Sequence, residues 1–309
     1  MRRYLAGAVA LTAAAALLAS TPAIAGGPTD PNGGEVGLGM AGGLKYISET
    51  HNVGDGGTHT PPYDATDIAC GPHTNSPWHV VSGGAAVKAP AQQTLLAVMR
   101  PMDLDPAFES PDNAAPDDWW ESVVKSVVGH KLTGYAICSK KPSHYVLHTT
   151  PTSASSNRTD TVSCAAGDAV VGGGAFIATT DSFVNSSYPI AGGWRIRVRD
   201  TVGGAGGMQA YAVCRPNGQI DSRLVAVEHK NVAPGTAASA TALCGASRHV
   251  SGGGGRLTGR IGQAWLSASR PIDGSDADSV PDDGWRVTGY NSSGSSKSLR
   301  AIAVCVTSG

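Results

Sequence analysis

The chain is poor in charge. Only 15% of its 309 residues are Asp, Glu, Lys or Arg, and 24 acidic against 23 basic side chains leave a net charge of −1. Neutralising nucleic-acid phosphates needs clustered Lys and Arg, which the sequence does not provide, so no nucleic-acid partner is expected. No polybasic run is available for an anionic membrane surface. Phenylalanine occurs three times. Several chemical signatures are also missing. There is no Gly-x-Ser-x-Gly elbow, no His-Glu-x-x-His, and no Lys-Ser/Thr after the glycine clusters to make a phosphate cradle. Nothing in the sequence reads as an amphipathic helix.

One apolar run exists, from Leu5 to Leu18, behind the positive start Met1-Arg2-Arg3. It is shorter than the roughly 20 residues a bilayer core requires. It ends in Ala23-Ile24-Ala25, small residues at the positions a signal peptidase reads, so residues 1–25 are expected to be a signal peptide. The remainder is expected to be secreted, extracellular and without membrane insertion. Six cysteines behind an export signal then read as three disulfides.

Those cysteines frame a threefold repeat. Tyr135-Ala136-Ile137-Cys138, Tyr211-Ala212-Val213-Cys214 and Ile302-Ala303-Val304-Cys305 each close an apolar strand. Trp120, Trp194 and Trp285 stand 18, 20 and 20 residues before those cysteines. Pro101, Pro189 and Pro271 come earlier. Before them lie the glycine clusters after Val81, Val171 and Val250, and each unit opens with Cys70, Cys164 or Cys244. Five anchors recurring in one order three times mark a true internal repeat. The units are placed at 44–141, 142–219 and 220–309, with residues 26–43 as a disordered Gly/Pro-rich linker. Short runs of Val, Ile, Tyr and Trp bounded by Gly, Pro, Asn and Ser read as strands. Trp194-Arg195-Ile196-Arg197-Val198-Arg199 alternates without a break, as a half-buried strand does.

The expected fold is therefore all-β: three homologous antiparallel β units in a pseudo-threefold, β-prism-like arrangement, or alternatively three small β-sandwich modules. Pairing within each unit gives Cys70–Cys138, Cys164–Cys214 and Cys244–Cys305 and makes the units identical. Pairing across the joints would also respect the repeat. The glycine clusters are expected to serve close backbone packing or bulges near the axis.

The cysteine-framed unit, with its Val-x-Gly-Gly core, proline turn and Gly-Trp strand, resembles a repeat of secreted actinobacterial proteins of unassigned function over nearly the whole exported chain. Its threefold layout is also similar to the β-prism of vitelline membrane outer layer protein I and, more distantly, to jacalin-type lectins.

Residues that break the repeat are the functional candidates, because the frame does not need them. Trp119 stands where unit three has Gly284, and Trp78 has no counterpart. With Asp117 and Asp118 they form the expected ligand site, a ring beside carboxylate acceptors, on the long loop of unit one. Unit three has the other long loop, where Asp273, Asp276 and Asp278 are candidate Ca²⁺ ligands, though a solvated acidic loop is the simpler reading. No other cofactor is expected. The repeated tryptophans, and Trp265, read as core. The histidines, His79 among them, read as surface loop residues. These observations favour a non-enzymatic binding or envelope/matrix protein whose partner is polysaccharide or cell wall. The alternative is an extracellular hydrolase of the glycoside hydrolase kind using the acidic loops.

Overall fold

A computed structural model describes residues 36–52, 63–71, 76–103, 115–126, 131–141, 143–152, 156–177, 182–200, 204–216, 223–274 and 278–307. Apart from one turn of 3-10 helix at Ala91–Gln93, every regular element in it is a β-strand.

Each repeat supplies six strands. The first contributes β2 (Leu44–Asn52), β3 (Tyr63–Ala69), β4 (His79–Val87), β5 (Thr94–Met102), β6 (Trp119–Ser126) and β7 (Lys131–Ser139). The second contributes β8 (His144–Thr152), β9 (Ser156–Ser163), β10 (Asp168–Ile177), β11 (Phe183–Ile190), β12 (Gly193–Asp200) and β13 (Gly204–Pro216). The third contributes β14 (Arg223–Val232), β15 (Thr236–Leu243), β16 (His249–Leu257), β17 (Ala264–Ile272), β18 (Gly284–Asn291) and β19 (Lys297–Val306).

Within a repeat the six strands fall into two antiparallel triplets. In the first repeat these are β2-β7-β4 and β3-β6-β5. The triplets then join across repeats. β4 pairs with β17, β10 with β5, and β16 with β11. Each of the three sheets is thus half one repeat and half another, and the sequence of joins closes on itself. The fold has the three units of a prism, and each unit is also a small two-sheet module, so the two expected layouts meet in one arrangement. The disulfides bind the two halves of each module: Cys70–Cys138, Cys164–Cys214 and Cys244–Cys305.

The glycine strands explain how the halves approach so closely. A Cβ on Gly83, Gly173 or Gly253 would strike the buried ring of Trp120, Trp194 or Trp285. A Cβ on Gly84, Gly174 or Gly254 would strike the backbone of Ser269, Met99 or Ser187 in the next repeat. One glycine therefore seats the core tryptophan, and the following one seats the neighbouring module. Bulges recur after Val80, Val170 and Val250. They correct one detail of the repeat alignment: the equivalent valines are Val80, Val170 and Val250, so the third unit shifts by one residue against the sequence reading. β4, β10 and β16 also touch one another. There Val81 and Val171 pack together with Val213, and the Ser251 hydroxyl donates to the Val171 carbonyl at 3.0 Å.

The expectation of disorder over 26–43 is corrected in part. Residues 26–35 lie outside the described residues, but β1 (Val36–Ala41) pairs antiparallel with β2. Gly42 and Gly43, at φ of 55° and 71°, supply the two left-handed positions that a tight two-residue hairpin needs. A glycine-rich stretch read as linker is here an edge strand and its turn.

Candidate functional site

The expected ligand site of unit one is a packed latch. Trp119 is 8% exposed, and its strand position is paired on both sides, with Ala69 and with Met102. Asp117 is buried and its carboxylate is 2.6 Å from Nδ1 of His79. The backbone of the same turn is also engaged: the carbonyls of Asp117 and Asp118 accept the amides of Val80 and Cys70. The expectation of an exposed ring beside free acceptors is therefore corrected, since the Asp-Asp turn folds back to cover the first cysteine. Trp78 is half-buried against the core, with the Lys140 ammonium 5.1 Å from its ring centroid.

Unit three repeats the latch. The carbonyls of Asp282 and Asp283 accept the amides of Val250 and Cys244, and the carboxylate of Asp282 meets Nδ1 of His249. In unit two Ala169 stands at the histidine's position, and the residue before it, Asp168, pairs with His144 at 2.8 Å. The sequence signal for this was present: His79 and His249 each precede the bulge valine, and Asp117 and Asp282 each lie three residues before the core tryptophan. The one-residue misalignment of unit three concealed it, and reading His79 as a loop residue is corrected. Its hydrogen bond to Asp117 raises the His79 imidazole above its ordinary value, while burial raises the Asp282 carboxyl.

The calcium candidates divide. Asp273 and Asp278 are exposed, and Asp278 accepts the Val280 amide at 2.8 Å in a local turn. Asp276 and residues 104–114 lie outside the described residues. Among the described residues no group of three His, Cys, Asp or Glu side chains is arranged to hold a metal ion.

The outer faces of the three sheets differ more than their frames do. In units two and three the residue after the core tryptophan is Arg195 or Arg286, which donates to Thr161 or Thr241 on the neighbouring strand at 3.1 and 3.0 Å. Unit one has Glu121 and Asp67 in those positions, directly paired across β3 and β6. Arg100 donates to Glu121 at 2.5 Å, lies 4.0 Å over the Phe176 ring, and reaches the Tyr211 hydroxyl of the second repeat. Burial first, and then the Glu121 charge, push the Asp67 carboxyl from 3.8 up to about 7. Sequence reasoning missed this pair because it comes together only through strand register.

One step further along the sheets, a single row of outward positions crosses all six strands of each shared body. In the first sheet the row is Ser239, Thr288, Ala268, Ala86, Thr133 and Thr50. In the second, Ala65, Val123 and Val98 run up to Phe176, Gln209 and Thr149. In the third it reads Thr159, Arg197, Ser186, Arg256, Arg300 and His229. Two rows are uncharged and the third carries three arginines.

No family model matches the chain, and no curated protein matches it. Among solved structures, one reported as the triple jelly roll fold and turret assembly in an archaeal virus aligns over 89% of both chains at 9% identity, with a TM-score of 0.19. A likeness at that level carries no argument. No helix among the described residues is long and apolar enough to cross a membrane.

Proposed function

We propose that this chain is a secreted, non-enzymatic binding protein of the cell envelope or extracellular matrix, with polysaccharide as its partner, and that the outer sheet faces carry the recognition. The observation behind this is that one frame, held three times by the same disulfides, glycines and buried tryptophans, presents three chemically different faces. Positions that packing does not require are where a rigid scaffold places recognition. Three intramolecular disulfides suit an oxidising compartment, as the N-terminal signal-like sequence does. The test is retention of the purified protein on insoluble cell-wall material and on a panel of neutral and acidic polysaccharides. Salt-sensitive retention supports the reading; passage through every matrix removes it.

One observation favours the hydrolase alternative: the Asp67 carboxyl, pushed up to about 7, lies directly across from the Glu121 carboxyl, and neighbouring carboxyls in different environments are what acid–base chemistry uses. Against it, Glu121 is 4% exposed and held by Arg100. Release of reducing ends from any of the same polysaccharides, lost in both Asp67→Asn and Glu121→Gln, would establish that alternative.

A further inference from the structure

The repeated frame does not require the arginine row of the third sheet. The same row is built from Thr, Ser, Ala and Val, with Phe176 and Gln209, in the other two sheets, so the frame folds without charge at those places. Arg256 and Arg300 are direct cross-strand partners. Like charges placed opposite each other on a sheet destabilise it. Neither Nε atom has a hydrogen-bond partner among the described residues, although both are buried from solvent. Arg256 extends over the Tyr188 ring at 5.9 Å, and Arg197 is partly satisfied by the carbonyls of Leu257 and Gly259. The outward positions on β9, β12, β11, β16, β19 and β14 include no carboxylate among the described residues. The chain is near neutral as a whole, and Arg195, Arg197, Arg199, Arg256 and Arg300 share this face.

From this juxtaposition we infer that the outer face of the third sheet, centred on Arg197, Arg256 and Arg300, is the docking surface for a carboxylated polysaccharide chain. The inference rests on the proposed binding function and gives it a site and a ligand class. Three features of the face select that occupant. Guanidinium forks match carboxylates two bonds at a time. The row runs straight across six strands, roughly 24 Å at a strand spacing of about 4.8 Å, and so suits a linear polymer with charge at regular intervals. Val225 and Val227 lie exposed at 37% and 46% on the same face of β14, beside Arg300's strand, and offer apolar contact to sugar rings. Nucleic acid is less well suited, because its bases need open aromatic platforms and Tyr188 is already covered by Arg256. At the other end of the row, Arg199 and Arg260 line an open recess of about 590 Å³ with Asn157, Phe183 and Gln263, wide enough for the polymer to continue.

The experiment measures binding of the full secreted chain to polygalacturonate, to its fully methyl-esterified counterpart and to duplex DNA, at two salt concentrations. Wild type should bind polygalacturonate in a salt-sensitive manner and leave the ester behind. Arg256→Gln and Arg300→Gln should each weaken binding about tenfold or more, the loss of a charge-assisted contact. Arg286→Gln, on the first sheet, should bind as wild type. Both face variants should also melt about 1–3 °C higher, because they relieve the facing charges. A merely structural role for these arginines predicts the opposite shift. If polygalacturonate is retained equally by all variants, the binding function stands and this face is not its site. Preferential retention of duplex DNA overturns the ligand assignment, and so does absence of binding to all three, while the binding function itself then falls only if the cell-wall and polysaccharide panel also fails.

Discussion

Trp120, Trp194 and Trp285 fill one position three times and are all fully buried, yet their indole N–H groups fare differently. Those of Trp194 and Trp285 donate to Ser187 and Ser269 at 2.8 and 2.9 Å. Met99 stands at the corresponding place in the first repeat, and the Trp120 N–H has no partner among the described residues. Ser187→Ala or Ser269→Ala should therefore cost about 1–3 kcal/mol, read by denaturant unfolding, by recreating the unpaired state the first repeat already tolerates. The Asp67 carboxyl gives a second prediction at this scale. Between 3.8 and about 7 the folded protein holds a proton that the unfolded chain has released, so stability should fall as pH rises through that window. His79 acts in the same direction: its contribution is full below its ordinary value of 6.5 and fades as pH rises through its higher folded value. Asp67→Asn should remove most of the loss between pH 4 and 7 and leave the part above 6.5, measured as melting temperature against pH. The sequence made the tryptophans legible as core, because a position needed three times alike is a packing position. It did not expose Asp67 and Glu121, which sit 54 residues apart and meet only through register.

At the scale of the strand, the glycines carry the most information. Gly174→Val should break the β10–β5 join, because its side chain would enter the backbone of Met99. The expected result is a loss of several kcal/mol, or failure to fold, with Gly167→Ala in the turn before β10 much milder: a Cβ at Gly167 would meet open space, although its φ of 91° still strains an alanine. The strands themselves were readable from apolar runs between turn residues; within-repeat disulfides were favoured because they make the units alike, but pairs across the joints would have kept the repeat as well, and the fold decides between them. Three things were not readable. Bulges shift the pattern by one residue and hid the His–Asp latches. Gly42–Gly43 reads as linker in composition and is a hairpin turn in fact. Trp119 broke the repeat for a reason that proved to be burial, so irregularity in a sequence did not by itself mean exposure.

Across the whole molecule, no repeat owns a complete sheet. Residues 142–219 expressed alone would leave β10 and β11 with bare edges where β5 and β16 belong. Such a fragment should be unfolded or associated, and the intact protein should unfold in a single cooperative transition in calorimetry rather than module by module. This level of organisation was the least visible in the sequence. Repeat boundaries and strand order say nothing about which edge meets which, and the sharing of sheets depends on pairings such as β4 with β17 that span most of the chain.

The joins β4–β17, β10–β5 and β16–β11 are one contact used three times with the same polarity, glycine strand to proline strand. A head-to-tail contact that returns to its start after three steps is the geometry of a cyclic trimer, here written on a single polypeptide. The closure does not depend on which unit comes first. A circular permutant opened between the second and third repeats, at 217–222, and joined between the old ends should build the same ring, with all three disulfides still formed inside their own repeats.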